Sequence, residues 1–276
     1  MSIQDLKELI YPVCETAIQA GKLIKKYYKS KINISLKDDN SPITQADLES
    51  NQLIKNSLVK IDNKIPILSE EALVDWSIRK NWQTYWLVDP LDGTKEFIKE
   101  NDEFTVNIAL IKDNRPVLGV IYAPALEVIY FAYKNGGSYK LSIDADKIII
   151  NYLDDSIKLQ ASSKKENESL RVIYSRSHPN DKMNTFLKQF KKYKIYPMGS
   201  SLKICRVSDG SVHLYPRLGP TMEWDTAAAH AVLKSAGGEM IKYGTGSPLR
   251  YNKQELLNPK FIAGNLSIIS RLSTFI

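Results

Sequence analysis

Trp86-Leu87-Val88-Asp89-Pro90-Leu91-Asp92-Gly93-Thr94-Lys95-Glu96-Phe97 is the stretch that decides how this chain reads. The apolar run from Tyr85 to Val88 has the pattern of a buried strand and stops at a carboxylate, Asp89. Pro90 removes a ladder donor, so the strand is expected to end there. Asp92 follows, and Gly93-Thr94 open a helical turn. Two carboxylates at the end of a buried strand are costly to keep charged without a cation between them. Mg²⁺, a hard ion that takes oxygen ligands, suits them. One Asp before Gly-Thr would read as a helix N-cap with no metal. A pair after a hydrophobic strand favours the ion.

At 276 residues, 43% apolar and 25% charged, the chain has the composition of a soluble protein with a full core. Its apolar runs are strand-sized, too short to span a bilayer. Asp5, Lys7 and Glu8 interrupt the N-terminus, which reads as an amphipathic helix rather than a signal peptide. Cys14 and Cys205 stand outside any motif and read as reduced thiols in a cytoplasmic protein. The net charge of +7 is concentrated. Residues 171–206 hold nine Lys/Arg against one acid, Asp181. No aromatic platform or known module accompanies them, so no stable nucleic-acid complex is expected. A basic wall facing acidic ligands fits a small polyanion. Peripheral attachment to the inner face of the cell membrane is left open, as is the choice between monomer and homodimer.

Residues 3–29 read as one helix, 32–43 as a loop or edge hairpin, and 44–59 as a helix opened by a capping box, Thr44 to Asp47. A short strand ends at Glu70-Glu71, and a helical piece follows over 75–83. Strands over 104–111, 116–123, 128–133 and 138–141 form an antiparallel meander. Beyond a polar connection (142–168), strands and helices alternate. Strands are expected over 171–175, 194–198, 212–215 and 239–241, and helices over 180–192, 200–209 and 226–236. The expected division is an α+β half, 1–155, and an α/β half, 156–276.

Asp89-Pro-Leu-Asp92-Gly-Thr94, with Glu70 upstream and Trp224-Asp225 downstream, resembles the signature of the inositol monophosphatase superfamily of Mg²⁺-dependent phosphatases. Lys95-Glu96-Phe97 is similar to its bisphosphate nucleotidase branch. The resemblance implies an α/β fold of stacked layers (αβαβα) with the active site between the halves. It implies two or three Mg²⁺ ions held by Glu70, Asp89, the Leu91 carbonyl, Asp92 and Asp225. Taken alone, Glu70 would be a surface acid and Asp225 the N-cap of a helix beginning at Thr226. The resemblance also pairs Thr94 with Asp47 of Thr44-Gln-Ala-Asp47 to orient a water, whereas spacing alone makes Asp47 a capping-box acid.

The backbone N–H groups of Gly93 and Thr94 offer a phosphate seat, and the segment Gly199-Ser200-Ser201-Leu202-Lys203 opens another helix suited to a phosphate or ribose. Ser175-Arg176-Ser177-His178-Pro179 resembles the nucleotidase segment whose His lies by the adenine. His213 and His230 have sufficient structural roles. Arg217 offers a planar fork for phosphate. Together these imply a phosphatase that removes the 3′-phosphate of adenosine 3′,5′-bisphosphate, and by resemblance that of 3′-phosphoadenylyl sulfate. Inositol monophosphatase or fructose-1,6-bisphosphatase activity would use the same metals. The alternative that is not an enzyme is a basic nucleic-acid-binding or regulatory protein.

Overall fold

The computed structural model describes residues 2–30, 34–36, 42–143, 151–165, 168–176 and 181–272. The chain starts with α1 (Ile3–Tyr27), capped by Ser2 and Asp5, then a small hairpin of β1 (Ile34–Leu36) and β2 (Pro42–Thr44). Next come α2 (Gln45–Ile61), β3 (Ile67–Ser69), the single turn α3 (Trp76–Arg79), β4 (Thr84–Asp92) and α4 (Thr94–Ile98). The expected meander follows as β5 (Thr105–Lys112), β6 (Arg115–Ala123), β7 (Val128–Tyr133) and β8 (Gly137–Ser142), with β9 (Ile157–Lys158) at its edge. Strands β3 to β9 form one seven-stranded sheet in sequence order, antiparallel except that β3 runs parallel to β4.

The remaining elements are β10 (Leu170–Ser175), α5 (Asp181–Leu187), β11 (Tyr193–Met198), α6 (Leu202–Ser208), β12 (Leu214–Arg217), α7 (Trp224–Ser235), β13 (Gly238–Lys242), β14 (Phe261–Asn265) and α8 (Leu266–Leu272). Their strands make a five-stranded sheet in the order β11-β10-β12-β14-β13. The strand β14 and helix α8 were not anticipated. Without β14, which runs antiparallel to both β12 and β13, those two strands would not belong to one sheet.

Strand alternation builds the layers. Trp86 and Val88 of β4 point to the helix layer of α1 and α2, in one cluster with Ile10, Val13 and Ile54. Tyr85 and Leu87 point the other way, into a cluster with Leu202, Ala228, Tyr215 and Phe261. The middle layer, α6 and α7, therefore packs between the two sheets. Val172, Leu214 and Ile262 face outward against Phe186 of α5 and Ile269 of α8. The result is the expected αβαβα stack.

Helix α7 lies unusually close to β6. Its face is Ala227, Ala228 and Ala231, and it crosses Gly119 so tightly that a Cβ there would sit 2.2 Å from the Ala228 carbonyl oxygen. Because Asp225 is in the first turn of α7, this contact sets its distance from β4. Gly119→Ala should cost about 1–3 kcal/mol of unfolding free energy in urea denaturation, and Gly119→Val more, as overpacking forces the helix outward. Unchanged midpoints would show that the layers yield freely.

Candidate active site

The strand β4 does not end at Pro90. Its ladder with β5 pairs Asp89 with Asn107, skips, and resumes with Asp92 opposite Thr105. Pro90 and Leu91 form a bulge with one extra residue on β4. Residues three apart on a regular strand face opposite sides. The bulge reverses that, so Asp89 and Asp92 share a face with Thr105 and Asn107.

The strand β3 brings Glu70 alongside, its N–H donating to Val88 O at 3.1 Å. Helix α7 delivers Asp225. Carboxylate oxygens of Asp89, Asp92 and Asp225 lie within 4.8 Å of one another, and all three, with Glu70 and Leu91, line a cavity of about 230 Å³. Burial, then the charges of Glu70, Asp92 and Asp225, hold the Asp89 carboxyl well above its ordinary range. Burial, then Asp92 and Glu70, push Asp225 up to about 8. An all-oxygen donor set whose members repel one another fits a hard divalent cation.

Each acid is separately held. Leu91 N–H donates to Asp89 Oδ1 at 3.1 Å. Asp92 Oδ2 accepts from Ser200 Oγ (2.6 Å) and the Ser201 N–H (2.5 Å), with Thr105 and Asn107 at 3.4 Å. The anion that meets Ser200 and Ser201 is thus Asp92 itself. Ser200 has φ +54°, and the helix expected from residue 200 starts at Leu202. Asp225 is not the N-cap of α7 but its second residue. Its Oδ2 accepts the Met222 N–H at 2.9 Å. The cap position belongs to Glu223, fully buried, which accepts the N–H groups of Asn252 (2.7 Å) and Lys253 (3.0 Å).

Thr94 and Asp47 meet as the resemblance implied. Thr94 Oγ1 is 3.2 Å from Asp47 Oδ1, and Asp47 Oδ2 takes both the N–H (2.8 Å) and hydroxyl (2.6 Å) of Thr44. The capping box and the pairing with Thr94 therefore coexist, one on each carboxylate oxygen. Gly93, at φ +88°, makes the turn between β4 and α4 that aims Thr94 into the cavity.

Lys203 and Arg217 line the same cavity. Burial, with Arg217 nearby, lowers the Lys203 ammonium to about 8 against the pull of Asp92. Its Nζ donates to Ser200 O and stands 5.6 Å from the Tyr215 ring centroid. Arg217 donates to Pro220 O at 2.5 Å, while its buried Nε has no hydrogen-bond partner among the described residues. His178 lies outside the described residues. His230 is structural, bridging Tyr251 (2.9 Å) and Glu239 (2.5 Å). His213 likewise takes the Arg171 N–H at 3.0 Å.

The sequence patterns did not single out Thr105, Asn107 or Glu103, whereas Ser201 stood in the segment expected to seat a phosphate or ribose. The first two are polar residues two apart in an otherwise apolar strand, a signal that was legible. Glu103 was not: it takes a bidentate pair from Arg176 (3.0 and 2.7 Å) and the Gly199 N–H (2.7 Å), contacts far away in sequence.

The pattern that defines the inositol monophosphatase family matches residues 5–272. The chain is 42% identical to a 3′(2′),5′-bisphosphate nucleotidase CysQ of Buchnera aphidicola over 265 residues, covering 94% of this chain and 95% of that one. It is 42% identical to CysQ of Salmonella typhimurium, covering 92% and 98%. Among solved structures, that of CysQ from Bacteroides thetaiotaomicron superposes with a TM-score of 0.80 at 40% identity, covering 92% and 96%. An IMPase from Thermotoga maritima, at TM-score 0.75 and 22% identity over 97% and 96%, shares the fold.

The raised carboxyl of Asp225 gives a pH test. A folded-state pKa above the ordinary 3.8 means the folded chain holds its proton more tightly, so this stabilisation is complete at low pH and is lost as pH rises towards about 8. In EDTA the protein should melt lower at about pH 8.5 than at about pH 6. Mg²⁺ should close the gap, and Asp92→Asn should narrow it without metal. Equal melting temperatures in EDTA would contradict the charge cluster.

Proposed function

The chain belongs to the inositol monophosphatase family, and from that premise we propose that it is a Mg²⁺-dependent 3′(2′),5′-bisphosphate nucleotidase. It hydrolyses the 3′-phosphate of adenosine 3′,5′-bisphosphate to give AMP and phosphate, and 3′-phosphoadenylyl sulfate presents the same phosphate. The observation that carries this reading is the convergence of Asp89, Asp92 and Asp225 with Lys203 and Arg217 in one cavity. The extent of the match to nucleotidases supports it.

Glu70, Asp89, the Leu91 carbonyl, Asp92 and Asp225 would hold two or three Mg²⁺ ions, which neutralise phosphoryl oxygens and lower the pKa of a bound water. The chain's own groups do the positioning. Asp47 is pinned by Thr44 and accepts the Thr94 proton, which leaves lone pairs of Thr94 Oγ1 to accept a proton from the attacking water. Gly93 and Thr94 seat the departing phosphate. Lys203, Arg217 and, by resemblance, His178 take the nucleotide, while the Ser200 hydroxyl, expected to join them, is held by Asp92. The division follows the chain: residues 1–155 carry most of the metal ligands, while 156–276 carry the cations and Asp225. No helix among the described residues is long and apolar enough to cross a membrane.

Thr94→Ala and Asp47→Asn should each lower kcat far more than they raise KM. The double variant should lose little beyond the worse single one, because the pair acts as a unit. Losses that multiply would argue for independent roles.

Lys203→Ala or Arg217→Ala should raise KM for adenosine 3′,5′-bisphosphate roughly ten- to a hundredfold, the worth of a lost charge-assisted hydrogen bond. Hydrolysis of inositol 1-phosphate should change far less. Equal losses in kcat/KM on both substrates would place these residues at the reacting phosphate, and preferred turnover of inositol 1-phosphate by the wild type would overturn the nucleotidase reading.

A further inference from the structure

The turn between β5 and β6 holds two cations where strand pairing disfavours them. Lys112 and Arg115 flank the two-residue turn Asp113-Asn114, whose φ values are 51° and 60°, and are register partners across it. Partners directly opposite share a face, and like charges there destabilise the pair. Lys134 joins them from the β7–β8 turn, its backbone N–H donating to Val117 O at 2.8 Å. All three line a cavity of about 550 Å³, more than twice the carboxylate cavity.

Among the described residues, none of these three side chains has an ion-pair or hydrogen-bond partner. The one carboxylate in the lining, Asp113, makes no ion pair with them. A fourth cation at the rim, Lys234, is already held by Glu239 at 2.9 Å. The end of α7 beside the cavity does not need their charge either. The carbonyls of Val232, Leu233 and Lys234 are taken by the N–H groups of Ala236 and Gly237. The floor is apolar: Leu6, Val117 and Ala231 are buried. Mutually repelling cations over an apolar floor suit a ligand with an anionic head and an apolar body.

We propose that this cavity is a second binding site, for a small phosphate or sulfate ester with an apolar body. It is distinct from the carboxylate cluster: α7 carries Asp225 in its first turn and borders this cavity with its C-terminal part, Ser235 lying about 15 Å from Asp225 along the helix axis.

The probe is 8-anilinonaphthalene-1-sulfonate, titrated into the full chain in EDTA, where the uncompensated acids of the catalytic cavity repel a sulfonate. Saturable fluorescence enhancement at one site, displaced by inorganic pyrophosphate, is expected. Arg115→Gln with Lys134→Gln should weaken binding at least about tenfold, whereas Lys203→Ala should leave it unchanged. Lys112→Gln should raise the melting temperature of the unliganded protein by relieving its repulsion with Arg115, a readout independent of any ligand. Affinity unaltered by the double substitution, loss of binding in Lys203→Ala, or failure of pyrophosphate to displace the probe would each overturn the proposal.

Discussion

One extra residue in β4 is the constraint on which the site rests. Had the ladder run regularly past Asp89, Asp92 would face the helix layer of α1 and α2, where Val88 and Trp86 lie. The bulge at Pro90-Leu91 puts both acids on the side that meets α6 and α7. Proline belongs there because a bulged position needs no ladder donor. The residue that seems to stop the strand is what lets it continue with its face reversed.

The repulsion this creates is contained by contacts from elsewhere in the fold. Asp92 is held by Ser200 and Ser201, ahead of α6. Asp225 is placed by the close seating of α7 on Gly119. The α6–α7 layer between the sheets therefore acts as a spacer as well as a core. It fixes how near an acid from α7 comes to acids from β4, and with it how far desolvation and like charge raise their carboxyls. A cation is favoured in proportion to that cost.

Local patterns carried most of this into the sequence. The meander was legible because its turns are short and its strands alternate; the pairing of Asp89 with Asp92 was legible in the residues, while the αβαβα order and the places of Glu70 and Asp225 beside them came from the resemblance. What failed to show has physical reasons. β14 and α8 lie beyond a long irregular stretch and take their roles from sheet neighbours distant in sequence. Glu223 escaped notice because Asp225 fits the N-cap preference and Glu223 does not, and the contacts of Glu223 with Asn252 and Lys253 join segments distant in sequence. The bulge was hidden because a proline after an aspartate reads as an ending.

The two sides of the catalytic cavity differ in kind, and this bears on how substrates are told apart. In the proposed reaction the acids would respond to whichever phosphate leaves, and any phosphomonoester supplies one. Lys203 and Arg217 line the same cavity, and among the described residues the buried Nε of Arg217 lacks a hydrogen-bond partner. A buried donor left unpaired costs the full desolvation of that group. A substrate bringing a second anionic group would recover that cost, and a monophosphate without one would not. Discrimination on this basis would need no added steric barrier, because the cost would lie in the folded chain before any substrate arrives.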